Sequence, residues 1–136
     1  MKILKFILLS VALVTALSVE GKTLKTSHLY MFGFSASFKD SVIYITDIQD
    51  IQGACINSKG HFLLGRDEYS RQLNTYLTDQ MQQSGRICMV MFSPKKKKAE
   101  KQYQKLMKKY KRGYEVRYLS SPAFQFTVVD ISPEGE

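Results

Sequence analysis

The segment from Lys95 to Arg112 constrains this chain more than any other part of it. It holds nine lysines, one arginine and one glutamate. At about 100° per residue, Ala99, Tyr103, Leu106 and Tyr110 fall in an arc about 60° wide, and Lys97, Lys101, Lys105, Lys108 and Arg112 in one about 80° wide on the opposite side. A helix with these two sides needs an apolar surface to lie on, and it leaves a ridge of cations facing outward. Ser93 and Pro94 read as its N-cap and first-turn proline. Arg112 and Gly113 read as its end.

The surface for that helix comes from segments of a different period. In residues 28–38, Tyr30, Phe32, Phe34, Ala36 and Phe38 share one face by the two-residue period of a strand. Lys39-Asp40-Ser41 makes a polar turn, and the β-branched and aromatic run 42–48 completes a β-hairpin. Residues 49–65, with Gly53, Gly60 and Gly65, read as a loop enclosing a short strand at 61–64. From 66 to 83 the period becomes helical, with Tyr69, Leu73, Tyr76, Leu77 and Met81 on one face, Asp67 and Glu68 at the start and Ser84-Gly85 at the stop. Arg86 to Phe92 is almost wholly apolar, the pattern of a central strand covered on both faces. Residues 114–119 and 124–131 are two further strands. The expected fold class is α+β: a single domain in the order β-β-α-β-α-β-β, with two helices packed on a mixed sheet.

Residues 1–21 have the zones of a cleavable signal peptide: Lys2 and Lys5, an apolar stretch from Phe6 to Val14, then Ala16-Leu17-Ser18. The apolar run is short for a bilayer-spanning helix, which needs about 20 residues. The expected organisation is therefore a removed leader, one domain over 22–131 and a disordered tail at 132–136. The expected localisation is periplasmic or secreted, with no transmembrane segment after processing. Outside the leader and the Lys95–Arg112 segment the chain has eight basic and ten acidic residues. Its basicity is thus the property of one helix. Cys55 and Cys88 lie 33 positions apart. In an oxidising compartment they could close a disulfide worth about 3–4 kcal/mol on the chain-entropy view, or stay as two buried free thiols.

Strings that imitate catalytic motifs fail on their context. Gly33-Phe34-Ser35-Ala36-Ser37 lacks the closing glycine of a nucleophile elbow and lies mid-strand. Ser93-Pro94-Lys95-Lys96 matches S-x-x-K by virtue of a lysine run and has no companion motifs. Gly21-Lys22-Thr23 copies the end of a P-loop at the processing site. His28 and His61 are the two histidines, far apart and in no zinc pattern, so neither metal nor cofactor is expected. Cys55 with His61 is the one conceivable nucleophile and base, which would make a small hydrolase. Asp47 and Asp50 read as turn formers rather than a glycosidase pair.

The strand, helix and strand over 87–119, with Ala99 and Leu106 on the inner face, resemble half of a SPOR domain, the periplasmic peptidoglycan-binding module. The hairpin, Tyr44-Ile45-Thr46 and Arg66 are similar in outline to the GIY-YIG nuclease core, but both tripeptides are absent and no metal-binding Glu can be placed, which rules that family out. As a whole the chain resembles the small exported proteins of unassigned function of Gram-negative bacteria, which implies no activity. The expected function is non-enzymatic binding: Lys97, Lys101, Lys105, Lys108 and Arg112 contact an anionic cell-envelope polymer or an acidic protein. Nucleic acid is disfavoured because Tyr103 and Tyr110 lie on the buried arc. The alternative is an interaction adaptor that exposes Tyr30, Phe32 and Phe34 of the hairpin.

Overall fold

The computed structural model describes residues 23–57 and 62–131. The leader, the 132–136 tail and His61 lie outside them. Among the described residues the elements run β1 (Thr23–Lys25), β2 (Leu29–Ala36), β3 (Val42–Thr46), β4 (Gln49–Ile51), β5 (Cys55–Asn57), α1 (Arg66–Met81), β6 (Ile87–Ser93), α2 (Lys96–Tyr110) and β7 (Glu115–Leu119). The α+β class, with two helices packed on a mixed sheet, is what the fold displays.

The centre of the sheet is β2. One edge of it pairs antiparallel with β6 along its whole length, from Tyr30↔Ser93 to Ala36↔Ile87. Its other edge pairs with β3 at Phe34↔Ile45 and with β4 at Met31↔Gln49. Between those two pairs the register slips by one residue, so β3 and β4 are one strand interrupted by a bulge at Asp47 and Ile48. Thr46 fills the gap: its hydroxyl accepts the Gly33 N–H at 2.8 Å and donates to the Asp47 carbonyl at 2.9 Å. β7 then joins β3 in parallel, from Val42↔Glu115 to Thr46↔Leu119. β1 and β5 form a separate antiparallel pair.

The two helices take opposite faces. Beneath α1, Leu29, Met31, Tyr44 and Val90 of the sheet meet Tyr69, Leu73 and Leu77. Beneath α2, Phe32, Phe34 and Ile45 meet Tyr103, Leu106 and Met107. β2 is therefore buried on both sides, and Gly33 is the closest approach: a Cβ there would sit 2.9 Å from both Leu73 Cδ2 and Phe126 Cζ.

Besides the loop read over 49–65, which carries β4 and β5, two expectations change. β6, read as central, lies at an edge of the sheet with Ile87 50% and Met89 45% exposed. Arg66, at the start of α1, shields that edge: its guanidinium donates to the Val90 carbonyl at 2.8 Å and lies 5.8 Å from the Phe92 ring centre. Residues 124–131 run across the α1 face without joining a ladder. Their backbone bonds go to side chains instead, because Gln49 accepts from Phe126 N–H (2.8 Å) and donates to the Phe124 carbonyl (3.0 Å). Gln72 does the same with both groups of Thr127 at 2.8 Å, and the Tyr69 hydroxyl accepts the Val129 N–H at 2.9 Å. A glutamine amide offers the same donor and acceptor as a peptide, so these side chains stand in for a neighbouring strand.

Candidate functional site

α2 begins two residues later than its sequence suggests. Ser93 is the last residue of β6, and its hydroxyl accepts the Lys95 N–H at 3.1 Å. Lys95 is the N-cap and makes no side-chain cap bond. The first turn contains no acid, so Lys96, Lys97 and Lys98 crowd the positive end of the helix dipole, a placement that costs about 0.3–1 kcal/mol each at low salt. Ala99 is fully buried, and Tyr103, Leu106, Met107 and Tyr110 are half-buried against the sheet.

Lys97, Lys101, Lys105, Lys108 and Arg112 are all exposed, as the helical wheel requires. None of the five pairs with a described carboxylate. The arginines elsewhere in the described residues are all engaged. Arg66 holds Val90, Arg71 pairs with Glu68 at 2.7 Å, Arg86 with Asp40 at 2.8 Å and Arg117 with Glu115 at 2.8 Å. The five ridge cations have no such partner, as is also true of Lys25 and Lys39 elsewhere in the described residues.

Beside the ridge, a groove of about 620 Å³ opens between α2 and β7. Tyr103, Met107, Lys108 and Lys111 form one side, and Tyr114, Val116 and Tyr118 the other. Gln104 and Lys108 also border a smaller lysine-lined depression with Lys101 and Lys105, so ridge and groove make one continuous surface. Tyr103 stands edge-on to Phe32, ring centres 5.2 Å apart. Tyr114 stands edge-on to Tyr110 at 5.1 Å, and Tyr110 rests on Phe34 at 6.4 Å. Burial raises the Tyr103 hydroxyl above its ordinary pKa, and nearby Tyr118 and Asp47 raise it further. Gln104, Lys111, Tyr114 and Tyr118 were not singled out in the sequence. The signal was present in the two-residue period Tyr114, Val116, Tyr118, which puts all three on the face that α2 covers.

The other candidates are occupied by structural work. Phe32 and Phe34 are buried under α2 and Tyr30 is half-buried, so these three rings do not form the exposed patch an adaptor would use. Cys55 and Cys88 are both free thiols. Cys55 is in the small sheet, 2% exposed, with Sγ 3.4 Å from the Ile131 carbonyl oxygen. Cys88 is opposite Ser35 in the main sheet, and burial pushes its thiol up to about 11 against a smaller opposing pull from Arg86. His61, the base proposed for Cys55, lies outside the described residues. Ser35 is fully buried in mid-strand, paired on both edges of β2. Asp47 accepts from the Ser121 N–H at 3.1 Å, the Ser121 hydroxyl and the Gln49 amide. Asp50 instead pairs with His28 at 2.7 Å. Among the described residues no three His, Cys, Asp or Glu side chains gather as they would around a metal ion. No described helix is long and apolar enough to cross a membrane.

No protein-family model, curated protein or solved structure matches the chain.

Proposed function

We propose that this chain is an exported binding protein whose α2 lysine face engages an anionic polymer of the cell envelope. One observation carries the reading: Lys97, Lys101, Lys105, Lys108 and Arg112 project together into solvent without a described carboxylate partner. Packing does not reward such a ridge. Like charges four residues apart on a helix repel by a few tenths of a kcal/mol per pair, and the first-turn lysines oppose the dipole as well. A polyanion turns each of these terms favourable. The leader expected at residues 1–21 supports export and so directs the choice of polymer towards the envelope.

The test is charge reversal of Lys97, Lys101, Lys105 and Lys108 to Glu in one protein, with circular dichroism as the check on folding. All four side chains are exposed, so the fold is expected to survive. Binding to peptidoglycan, lipopolysaccharide and acidic polysaccharide is then measured beside a neutral glycan. The reading requires that binding to the anionic polymers be abolished. A charge-reversed protein that binds as the parent does would end it.

A further inference from the structure

Phe38 and Phe62 are well exposed among the described aromatic side chains, and so are two that stand on the groove, Tyr118 at 64% and Tyr114 at 43%. Both stand on the same side of the β7 segment, about 13 Å apart at about 3.3 Å per residue. Val116 and Met107 pack against the core beneath α2, and neither tyrosine ring is part of that cluster. An exposed ring held in place by its neighbours loses little freedom on binding. Tyr114 is held in this way through Tyr110 and Phe34.

We propose that the groove between α2 and β7 is a subsite for an acidic polysaccharide, with sugar rings against Tyr114 and Tyr118 and carboxylate or sulfate groups at Lys108 and Lys111. This names the ligand class of the surface already described, and it rests on the polyanion reading. A pyranose ring has an apolar C–H face and a rim of hydroxyls. The groove meets both, through the tyrosine rings, Val116 and Met107 on one hand and the Gln104 amide with the tyrosine hydroxyls on the other.

Lys108 and Lys111 supply cations on the α2 wall of the groove, beside the Tyr114 and Tyr118 rings. Nine of the ten cations in the 95–112 segment are lysines, point charges that meet carboxylate, sulfate and phosphate alike, so it is the tyrosine rings that favour a sugar.

The experiment compares the purified protein, a Tyr114→Ala/Tyr118→Ala variant, a Tyr114→Phe/Tyr118→Phe variant and the four-lysine charge reversal. The probes are polygalacturonate, inorganic polyphosphate and oligo-dT. Loss of two ring contacts is expected to weaken polygalacturonate binding about tenfold or more. It should leave polyphosphate binding unchanged, and the Phe variant, which keeps the rings and loses the hydroxyls, should bind polygalacturonate more tightly than the Ala variant and no more tightly than the parent. Charge reversal should abolish binding to both. The inference is overturned if the Ala variant binds polygalacturonate like the parent, or if oligo-dT binding is what the tyrosines support. It is equally overturned if the parent binds polyphosphate but not polygalacturonate, an outcome in which the broader polyanion reading survives. A parent that binds none of the three removes both.

Discussion

Asp40→Ala is expected to destabilise the fold strongly although Asp40 is a partly exposed residue in a hairpin turn. Its partner is the reason. The Arg86 side chain is 2% exposed, and one of its terminal nitrogens donates to both Asp40 oxygens, at 2.9 and 2.8 Å. The other donates to the Val42 carbonyl at 3.0 Å, and the guanidinium carbon lies 4.9 Å from the Tyr44 ring centre. Removing the carboxylate leaves a cation inside the sheet. Stranding one member of a buried pair costs about 3–5 kcal/mol. The Asp40 side chain is 41% exposed, so water can enter its place, and about 2–3 kcal/mol is the reasonable expectation after that discount. At about 4 °C per kcal/mol for a domain of this size, the melting temperature should fall by about 8–12 °C. Arg86→Met removes the charge and keeps the volume, so it should cost less than Asp40→Ala. Thermal and urea denaturation of both single variants and the double variant give the coupling energy directly. An Asp40→Ala protein within about 0.5 kcal/mol of the parent, or an Arg86→Met protein less stable than Asp40→Ala, would refute the reasoning.

Two further outcomes follow from the packing of residues 124–131 and of β6. Gln49→Ala leaves the buried Phe124 carbonyl and Phe126 N–H without partners and should cost about 2–4 kcal/mol in urea denaturation. The exposed counterpart Gln72→Ala should cost about 1 kcal/mol or less, because water replaces the amide; equal costs would contradict the burial argument. Cys88, with its thiol pushed up to about 11 by burial, should alkylate about tenfold more slowly near pH 8 than an unperturbed thiol of equal access. Its rate should keep rising with pH through 10, since the thiolate is the reactive form. A rate that levels off near pH 9 would show an unshifted thiol.

The two helices, the hairpin and the strand after α2 were legible because each rests on local periodicity: 3.6 residues in Tyr69, Leu73 and Leu77, two residues in Phe32 and Phe34. The ridge was legible for the same reason, since Lys97 through Arg112 needed only a helical wheel. What failed depended on contacts distant in sequence. The apolar run 87–93 looks the same whether it is central or at an edge, and it is Arg66 that makes the edge tolerable. β4 and β5 are three residues each, too short to show a period, and they exist through their pairing with β2 and β1. The segment 124–131 has strand composition but satisfies its backbone through Gln49, Gln72 and Tyr69. The groove needed β7 and α2 side by side, which no single segment encodes.

The account stands on the claim that the α2 ridge attracts negative charge, and the salt dependence of binding tests that claim most directly. Affinity of the parent protein for polygalacturonate is measured from low to high sodium chloride, alongside the four-lysine charge reversal. Screening between exposed charges tightens as the Debye length falls from about 30 Å at 0.01 M to about 10 Å at 0.1 M. The account therefore predicts a steep, continuous loss of parent affinity over that range and no measurable binding by the reversed protein at any salt. An affinity that holds constant across the series, or survives the reversal of Lys97, Lys101, Lys105 and Lys108, would contradict it.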